Sequence, residues 1–295
     1  MKSLLLGAAL VAALAGCAPA HRSSGLQVVA AESFWGSIAA QLGGAHATVR
    51  SIVQSPAVDP HSYEPTASDA RKLASADVAV VNGIGYDRWA SQLLAANPSS
   101  GRVVVDAGKV LGFGDGANPH QWYSPSSVSR MVASIAGAFR RADPKDARYF
   151  TARQQTFESL SLARYDALRA RIRARYAGVP VGYSESIFEP LGRSLGLKLL
   201  TPPAFAKSVA EGTEVSVADK TTVERQIDEH RIAVWVFNSQ NVTPEVGQLT
   251  TRARRSGIPV VTVTETLSPE GTTFQAWQNR QLAQLEAALQ RATGR

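Results

Sequence analysis

The stretch Pro144–Tyr176, PKDARYFTARQQTFESLSLARYDALRARIRARY, divides the chain into two halves. After its opening proline it contains neither glycine nor proline. Asp143 is a natural N-cap before it, and Gly178 supplies a stop after it. Its apolar residues recur at roughly helical spacing: Phe150, Phe157, Leu160, Tyr165, Leu168 and Ile172. These features predict one helix of about 33 residues, about 50 Å long.

Short apolar runs rich in β-branched residues predict four strands on each side of this helix. The runs are mostly continuous rather than alternating, as in strands that are buried on both faces of a parallel sheet. The predicted strands are Leu26–Ala30, Val49–Val53, Val78–Val81 and Val103–Val105 before the helix, and Val179–Tyr183, Leu197–Leu200, Ile232–Phe237 and Val260–Thr264 after it.

Helical patterns alternate with these strands, which predicts an α/β fold. The predicted helices are Ser33–Leu42, Ser68–Ala74, Tyr86–Leu94, Ser126–Arg140, Ile187–Leu195, Val217–His230, Pro244–Arg255 and Phe274–Ala292. The long helix is then either a surface helix of one domain or a strut that joins two lobes. We favour two lobes, each with a parallel sheet flanked by helices, at residues 26–143 and 178–295, joined by a backbone helix at 144–177.

The first seventeen residues have the features of a bacterial export signal. Lys2 precedes an apolar run, Leu4–Ala15, which is shorter than the ~20 residues needed to span a bilayer. The segment ends in LAGC (Leu14–Cys17), which resembles a lipobox, and Cys17 is the only cysteine. We therefore expect an exported protein that is anchored to the membrane through lipidated Cys17, with residues 18–25 as a tether. The alternative is an ordinary signal peptide with an incidental cysteine.

The charge of the chain does not point to a nucleic-acid partner. Lys and Arg together number 31 against 24 Asp and Glu, a net charge of +7. The arginines are spread along the chain and are densest at Arg164–Arg175 and Arg252–Arg255, where they read as solvated helix faces. The sequence contains no nucleic-acid-binding motif, so we expect no nucleic acid as a partner.

Four side chains that can bind a metal follow predicted strands, two in each half. His61 lies in DPHSYEP after the second strand, and His120 lies in NPHQW after the fourth. Glu185 comes just past the fifth strand, and Glu265 ends the eighth. Because doubly wound sheets bind ligands beyond the carboxyl ends of their strands, each half offers two ligands at one edge. Two imidazoles and two carboxylates suit a divalent transition metal.

The other candidate groups have more local explanations. Thr66 and Asp69 form the pattern of a capping box at a helix start. Glu211 and Glu214 are a competing acidic pair, but they precede a helix in a loop rather than ending a strand. The remaining histidines are in the tether, a polar loop and a helix end, and we do not predict them as ligands: His21, His46 and His230.

The motifs LAGC, DPHSYEPTASD, NPHQWYSP, SESIFEPLGRSLGL and VTETLSPEG, in this order, resemble the cluster A-I solute-binding lipoproteins of bacterial manganese/zinc ABC importers. The resemblance implies two lobes bridged by one long helix. It also implies that His61 and His120 are ligands and that Glu185 is the third. Glu265 stands where the family usually has aspartate, a departure that keeps a carboxylate. A His/Asp-rich loop found in many zinc receptors is absent before Pro119.

These observations predict a receptor, not an enzyme, that carries one Mn²⁺ or Zn²⁺ per chain to an ABC permease and acts as a monomer. The side chains predicted to orient the ligands are Asn118, Ser184, Asn238 and Gln240. We expect the imidazoles to lose the metal by protonation below about pH 6, before the glutamates do. Two alternatives stay open: a zinc-dependent extracytoplasmic hydrolase, which needs an open coordination position, and a siderophore or haem receptor on a similar scaffold.

Overall fold

The computed structural model of the chain describes residues 25–55, 57–58 and 63–295. The predicted signal segment with Cys17, most of the predicted tether and the candidate ligand His61 lie outside these residues. None of the helices in the described ranges is both long and apolar enough to cross a membrane.

Within the described residues, eight strands form two separate four-stranded sheets, and every strand pairing in them is parallel. The first sheet has the order β2-β1-β3-β4 and consists of β1 (Leu26–Glu32), β2 (Ala47–Val53), β3 (Val78–Val81) and β4 (Val103–Asp106). The second has the order β6-β5-β7-β8 and consists of β5 (Pro180–Tyr183), β6 (Lys198–Leu199), β7 (Val234–Asn238) and β8 (Val260–Val263). We call residues 25–142 the first lobe and residues 180–293 the second.

In the part of the chain that the structure describes, twelve α-helices flank the two sheets and connect them. They are α1 (Ser33–Gly43), α2 (Ala67–Ala74), α3 (Arg88–Ala96), α4 (Ala107–Leu111), α5 (Pro125–Ala142), α6 (Ala147–Thr156), α7 (Ala163–Tyr176), α8 (Glu189–Ser194), α9 (Pro203–Ala210), α10 (Val217–Asp228), α11 (Pro244–Arg255) and α12 (Phe274–Thr293). The sequence analysis did not predict α4 and α9, which are short. The capping box is present: Thr66 and Asp69 exchange side-chain and backbone hydrogen bonds at the start of α2.

The connecting segment 144–176 departs from the single regular helix that was predicted. It begins with a 3-10 turn at Pro144–Asp146 and continues as α6, a π turn at Phe157–Ser161, and α7. The amide of Leu162 donates to the carbonyl oxygen of Phe157 at 3.0 Å, so the turn holds one residue more than an α-helical turn. As a result Leu162 is buried, whereas Leu160, which was predicted to lie on the buried stripe, is 71% exposed.

One continuous hydrophobic core runs through both lobes and the connecting segment. It includes Val28 and Val80 of the first sheet, Phe157 of the π turn, and Val181 and Val234 of the second sheet. The last helix, α12, packs on α7 and β8 and also contacts α1 of the first lobe. The predicted fold class, two lobes with parallel sheets flanked by helices, is confirmed.

Candidate metal centre

The strand orders create one crevice in each sheet, between β1 and β3 in the first lobe and between β5 and β7 in the second. Consecutive connections leave in opposite directions at these positions, which leaves space beyond the carboxyl ends of the strands. In the second lobe Glu185 follows β5, Asn238 ends β7 and Glu265 follows β8. In the first lobe His120 directly precedes a 3-10 turn, Gln121–Tyr123, that leads into α5. The two sets of side chains meet where the lobes face each other.

Three of the four predicted ligands are brought together in this space. One ligand atom from each of His120, Glu185 and Glu265 lies within 4.8 Å of the others. His120 Nε2 is 3.4 Å from Glu185 Oε1 and 3.6 Å from Glu265 Oε2. Ligand atoms at about 2.1 Å from a tetrahedral ion lie about 3.4 Å apart, so these separations fit a bound zinc-sized cation. This is the one such group of three among the described residues.

The fourth predicted ligand, His61, lies outside the described residues, and its position relative to the cluster stays a prediction. The other described histidines are elsewhere. His46 pairs with Asp146 at 2.6 Å, and His230 Nε2 contacts the backbone oxygen of Ser256 at 2.9 Å. The competing acidic residue Glu211 is exposed at the end of α9.

Asn118 fixes the orientation of the His120 ring. Its side-chain oxygen accepts from the His120 backbone amide at 3.0 Å and lies 2.9 Å from His120 Nδ1. The side-chain oxygen of asparagine carries no hydrogen and can only accept, so Nδ1 carries the proton and Nε2 presents its lone pair to the carboxylates. The side-chain nitrogen of Asn118 donates to the backbone oxygen of Ser186 at 2.7 Å, which joins the two lobes beside the site.

Asn238 holds the two carboxylates in place. Its side-chain nitrogen donates to Glu185 Oε2 at 2.5 Å and to Glu265 Oε1 at 2.9 Å. Its backbone amide donates to Ser184 Oγ at 3.0 Å, and its own side-chain oxygen accepts from the backbone amide of Gln240 at 3.1 Å. All four residues predicted to orient ligands therefore contact the cluster or one another, as partners of metal ligands commonly do.

The sequence analysis missed three residues at this site. The hydroxyl of Tyr86 donates to Glu265 Oε2 at 2.9 Å across the lobes. Asn82 Nδ2 donates to the backbone oxygen of Pro119 at 3.0 Å, one residue before His120. Ser186 Oγ lies 3.4 Å from His120 Nδ1. Asn82 directly follows β3, so the strand-end argument that found the glutamates would have singled it out as well, whereas Tyr86 lies four residues further along the chain.

Burial shifts the pKa values of two candidate ligands, and it reverses the order in which the sequence predicts that the imidazole and the carboxyl group become protonated. Burial, and next the neighbouring Glu265 carboxylate, raise the pKa of Glu185 to about 8. Burial lowers the pKa of His120 to about 4, because Trp122 and Tyr86 pack their rings around the imidazole and exclude water. The prediction that, as pH falls, protons displace the metal from the imidazoles before they do so from the glutamates is therefore wrong for His120 and Glu185.

The chain thus has a two-lobed α/β fold with a buried His/Glu cluster between the lobes. Imidazole and carboxylate groups of this kind suit a divalent transition metal. The family model described as "Zinc-uptake complex component A periplasmic" matches residues 28–288, and the chain belongs to this family. The membership inferred from the Pro-His and Glu motifs is thereby confirmed.

Known proteins resemble the chain in sequence and in fold. It is 30% identical over 198 residues to the iron-binding protein YfeA of Yersinia pestis (63% of this chain, 62% of the relative). It is 32% identical over 157 residues to the manganese-binding lipoprotein MntA of Halalkalibacterium halodurans (50% and 51%). The chain thus spans 51% to 62% of these curated relatives.

The solved structure of the Cd-bound periplasmic metal-binding protein from Candidatus Liberibacter asiaticus superposes with a TM-score of 0.72 at 20% identity. The superposition covers 89% of this chain and 98% of that one, and it shows the common fold.

Proposed function

We propose that this protein is the extracytoplasmic receptor of an ABC importer and that it captures one Zn²⁺ or Mn²⁺ ion between its lobes for delivery to a permease. The observation that carries the proposal is the buried cluster of His120, Glu185 and Glu265, whose atoms have the separations of ligands on one small cation. His61 would supply the fourth ligand. The names of the relatives, which refer to iron and manganese, and the zinc-uptake family support a transition metal as cargo.

We infer a binding role rather than catalysis. With His61 in place, four protein ligands would fill a tetrahedral site, whereas a hydrolase keeps one position open for water. The Ser184 hydroxyl accepts from the Asn238 amide, which gives this serine a structural role beside the site. A siderophore or haem would need a broad aromatic or basic cleft. The described residues that line the interlobe cavity of about 770 Å³ include one aromatic residue, Tyr86, and two basic residues, Arg88 and Lys207, against three glutamates.

The location and the partners belong to the same proposal. We infer that the chain is exported, lipidated at Cys17 and held at the membrane by the tether at residues 18–25, where the permease would receive the ion. We propose that it acts as a monomer and does not bind nucleic acid, since its arginines are spread over separate helix faces.

The test is metal content and zinc affinity of the purified chain, compared with His120→Ala. We expect one equivalent of metal in the wild type and a loss of retention in the variant, because His120 offers the imidazole of the cluster. His230→Ala is the matched control, since it removes an exposed histidine at the end of α10. Wild-type zinc affinity in the His120 variant would refute the assignment.

A further inference from the structure

The two lobes repeat one local arrangement at the crevice between their central strands. Continuing the pairing of β1 with β3 by two residues sets Glu32 opposite Asn82, and continuing that of β5 with β7 by two sets Glu185 opposite Asn238. Glu32 is therefore the first lobe's positional counterpart of the candidate ligand Glu185. The asparagines match as well, one at the end of each second central strand.

The sequence around the two glutamates carries the same repeat. Serine follows each of them, as Ser33 and Ser186. A Leu-Gly step then follows at the same distance in both lobes, at 42–43 and 195–196. The correspondence of the glutamates thus rests on chain pattern as well as on strand register.

Glu32 differs from Glu185 in its surroundings. Its side chain is fully buried, and neither of its oxygens accepts a hydrogen bond from an N–H or O–H group of another described residue. Its close neighbour is the buried carboxyl group of Asp87. Asp87 accepts two short hydrogen bonds, from the backbone amides of Asn82 and Gly83, both at 2.7 Å. Burial and mutual repulsion disfavour the ionisation of both of these adjacent carboxyl groups, and a proton between them lets one donate to the other.

We propose that Glu32 and Asp87 share one proton and act as a positioning pair for the metal site, with protonated Glu32 donating to ionised Asp87. In the first lobe, Glu32 of this pair occupies the position that the candidate ligand Glu185 occupies in the second lobe. The pair holds the turn Asn82–Asp87, and among the described residues no hydrogen bond joins it to a predicted ligand. The inference deepens the proposed function, on which it rests.

The turn Asn82–Asp87 touches the metal site from both sides. At one end Asn82 Nδ2 holds the backbone oxygen of Pro119 next to His120, while Asn82 Oδ1 accepts from Trp35 Nε1 at 3.0 Å. At the other end the Tyr86 hydroxyl holds Glu265. Between them Ile84 adopts a φ of 58°, a conformation that a β-branched residue keeps only when its surroundings enforce it. The hydrogen bonds from the backbone amides of Asn82 and Gly83 to Asp87 supply this constraint.

Charge and burial agree with a proton on Glu32 and a negative charge on Asp87. In the described part of the chain, the titratable groups that act on Glu32 include the Asp87 carboxyl group and the Tyr86 hydroxyl. Burial, and next the Asp87 carboxylate, hold the pKa of Glu32 well above its usual range. Burial also raises the pKa of Asp87, to about 6, against the lowering effect of its two backbone amide donors. At neutral pH Glu32 therefore keeps the proton and Asp87 is the ionised member.

Two substitutions of Glu32 with side chains of similar volume test whether it acts as a hydrogen-bond donor or only fills space. Glu32→Gln keeps a donor toward Asp87, and we expect its Zn²⁺ affinity, measured by competition with a chelator, to stay close to that of the wild type. Glu32→Met fills the space without a donor, and we expect its affinity to fall by about 10-fold or more, as for partners of metal ligands. Equal affinities in the two variants would overturn the positioning role, whether both bind well or both bind poorly.

Infrared spectroscopy tests the proton itself. In zinc-loaded protein Glu185 is ionised as a ligand, so we expect the stretching band of a protonated carboxyl group to persist at neutral pH in the wild type and to vanish in Glu32→Gln. An unchanged band in the variant would overturn the proposal. If the wild type binds no zinc, the proposed function fails instead, and the same band difference between the metal-free proteins still decides whether Glu32 holds the proton.

Discussion

At the residue scale, the candidate centre places two carboxylates and one imidazole in a space from which water is excluded. Glu185 and His120 are fully buried, and Asn238 donates to both carboxylates from one side-chain nitrogen. Without a cation the carboxylates repel each other, and a proton on Glu185 relieves that repulsion. A divalent ion would replace this proton, so we expect metal capture and proton release to be linked.

We expect zinc binding to release about 0.9 proton from Glu185 at pH 7 and about 0.2 at pH 8.5, because its pKa in the metal-free protein is about 8. The same shift makes the metal-free fold lose stability as pH rises from the unfolded value of about 4.3 through about 8. Calorimetric titration in two buffers of different ionisation enthalpy measures the released protons.

Glu211→Gln, which removes an exposed acid outside the cluster, is the control and should release protons as the wild type does. Equal release at the two pH values would contradict a raised pKa for Glu185.

Asn238→Ala should weaken zinc retention by about 10- to 100-fold, because both carboxylates then lose their shared donor and are free to rotate. Competition against a chelator measures the change. Ser239→Ala alters the next residue, which is exposed, and should leave the affinity unchanged. A result in which both variants bind like the wild type would remove Asn238 from the site.

At the scale of elements, the sequence predicts regular structure well and local irregularity poorly. Val78–Val81 and Pro244–Arg255 are observed with their predicted bounds, since one is a buried apolar run and the other starts with proline at N1. The π turn at Phe157–Ser161 was not predictable, because a helical stripe does not reveal one extra residue in a turn. Strand ends located Glu185 and Glu265, but the Tyr86 contact depends on how the lobes face each other, which no local pattern encodes.

The π turn gives a prediction about stability. Leu162→Ala should lower the free energy of unfolding by about 2–5 kcal/mol, because Leu162 is buried in the core that joins the lobes. Leu160→Ala should change it by less than about 0.5 kcal/mol, since that side chain is 71% exposed. Denaturant unfolding measures both. The opposite ranking would mean that the segment is a regular helix with Leu160 on its buried face.

At the scale of the whole molecule, three polar contacts between the lobes lie at the candidate centre. Tyr86 donates to Glu265, and the Tyr123 hydroxyl donates to the backbone oxygen of Thr264 at 2.9 Å. Asn118 donates to the backbone oxygen of Ser186. Each contact joins a residue of the first lobe to a candidate ligand of the second lobe or to its neighbour in sequence, so the geometry of the site depends on how the lobes are closed.

Anchoring is a property of the whole chain, and it has a direct test. If Cys17 carries a lipid, Cys17→Ser should move the protein from the membrane fraction to the soluble one, because the single thiol is the only attachment point of this kind. Fractionation of cells that express each form measures this. A Cys17 variant that stays in the membrane fraction as the wild type does would show that another feature holds the protein there.

The continuous core and the interlobe ion should make the chain unfold as one unit when metal is bound. Zinc at a hundredfold excess over its Kd should stabilise the native state by about 2.7 kcal/mol, because it binds the folded chain and not the unfolded one. The core shared by both sheets carries this stabilisation to the whole molecule. Scanning calorimetry should show a single transition that zinc moves to higher temperature in the wild type and leaves in place in His120→Ala. Two transitions, of which zinc moves only one, would mean that the lobes unfold independently and that the ion is held by one of them alone.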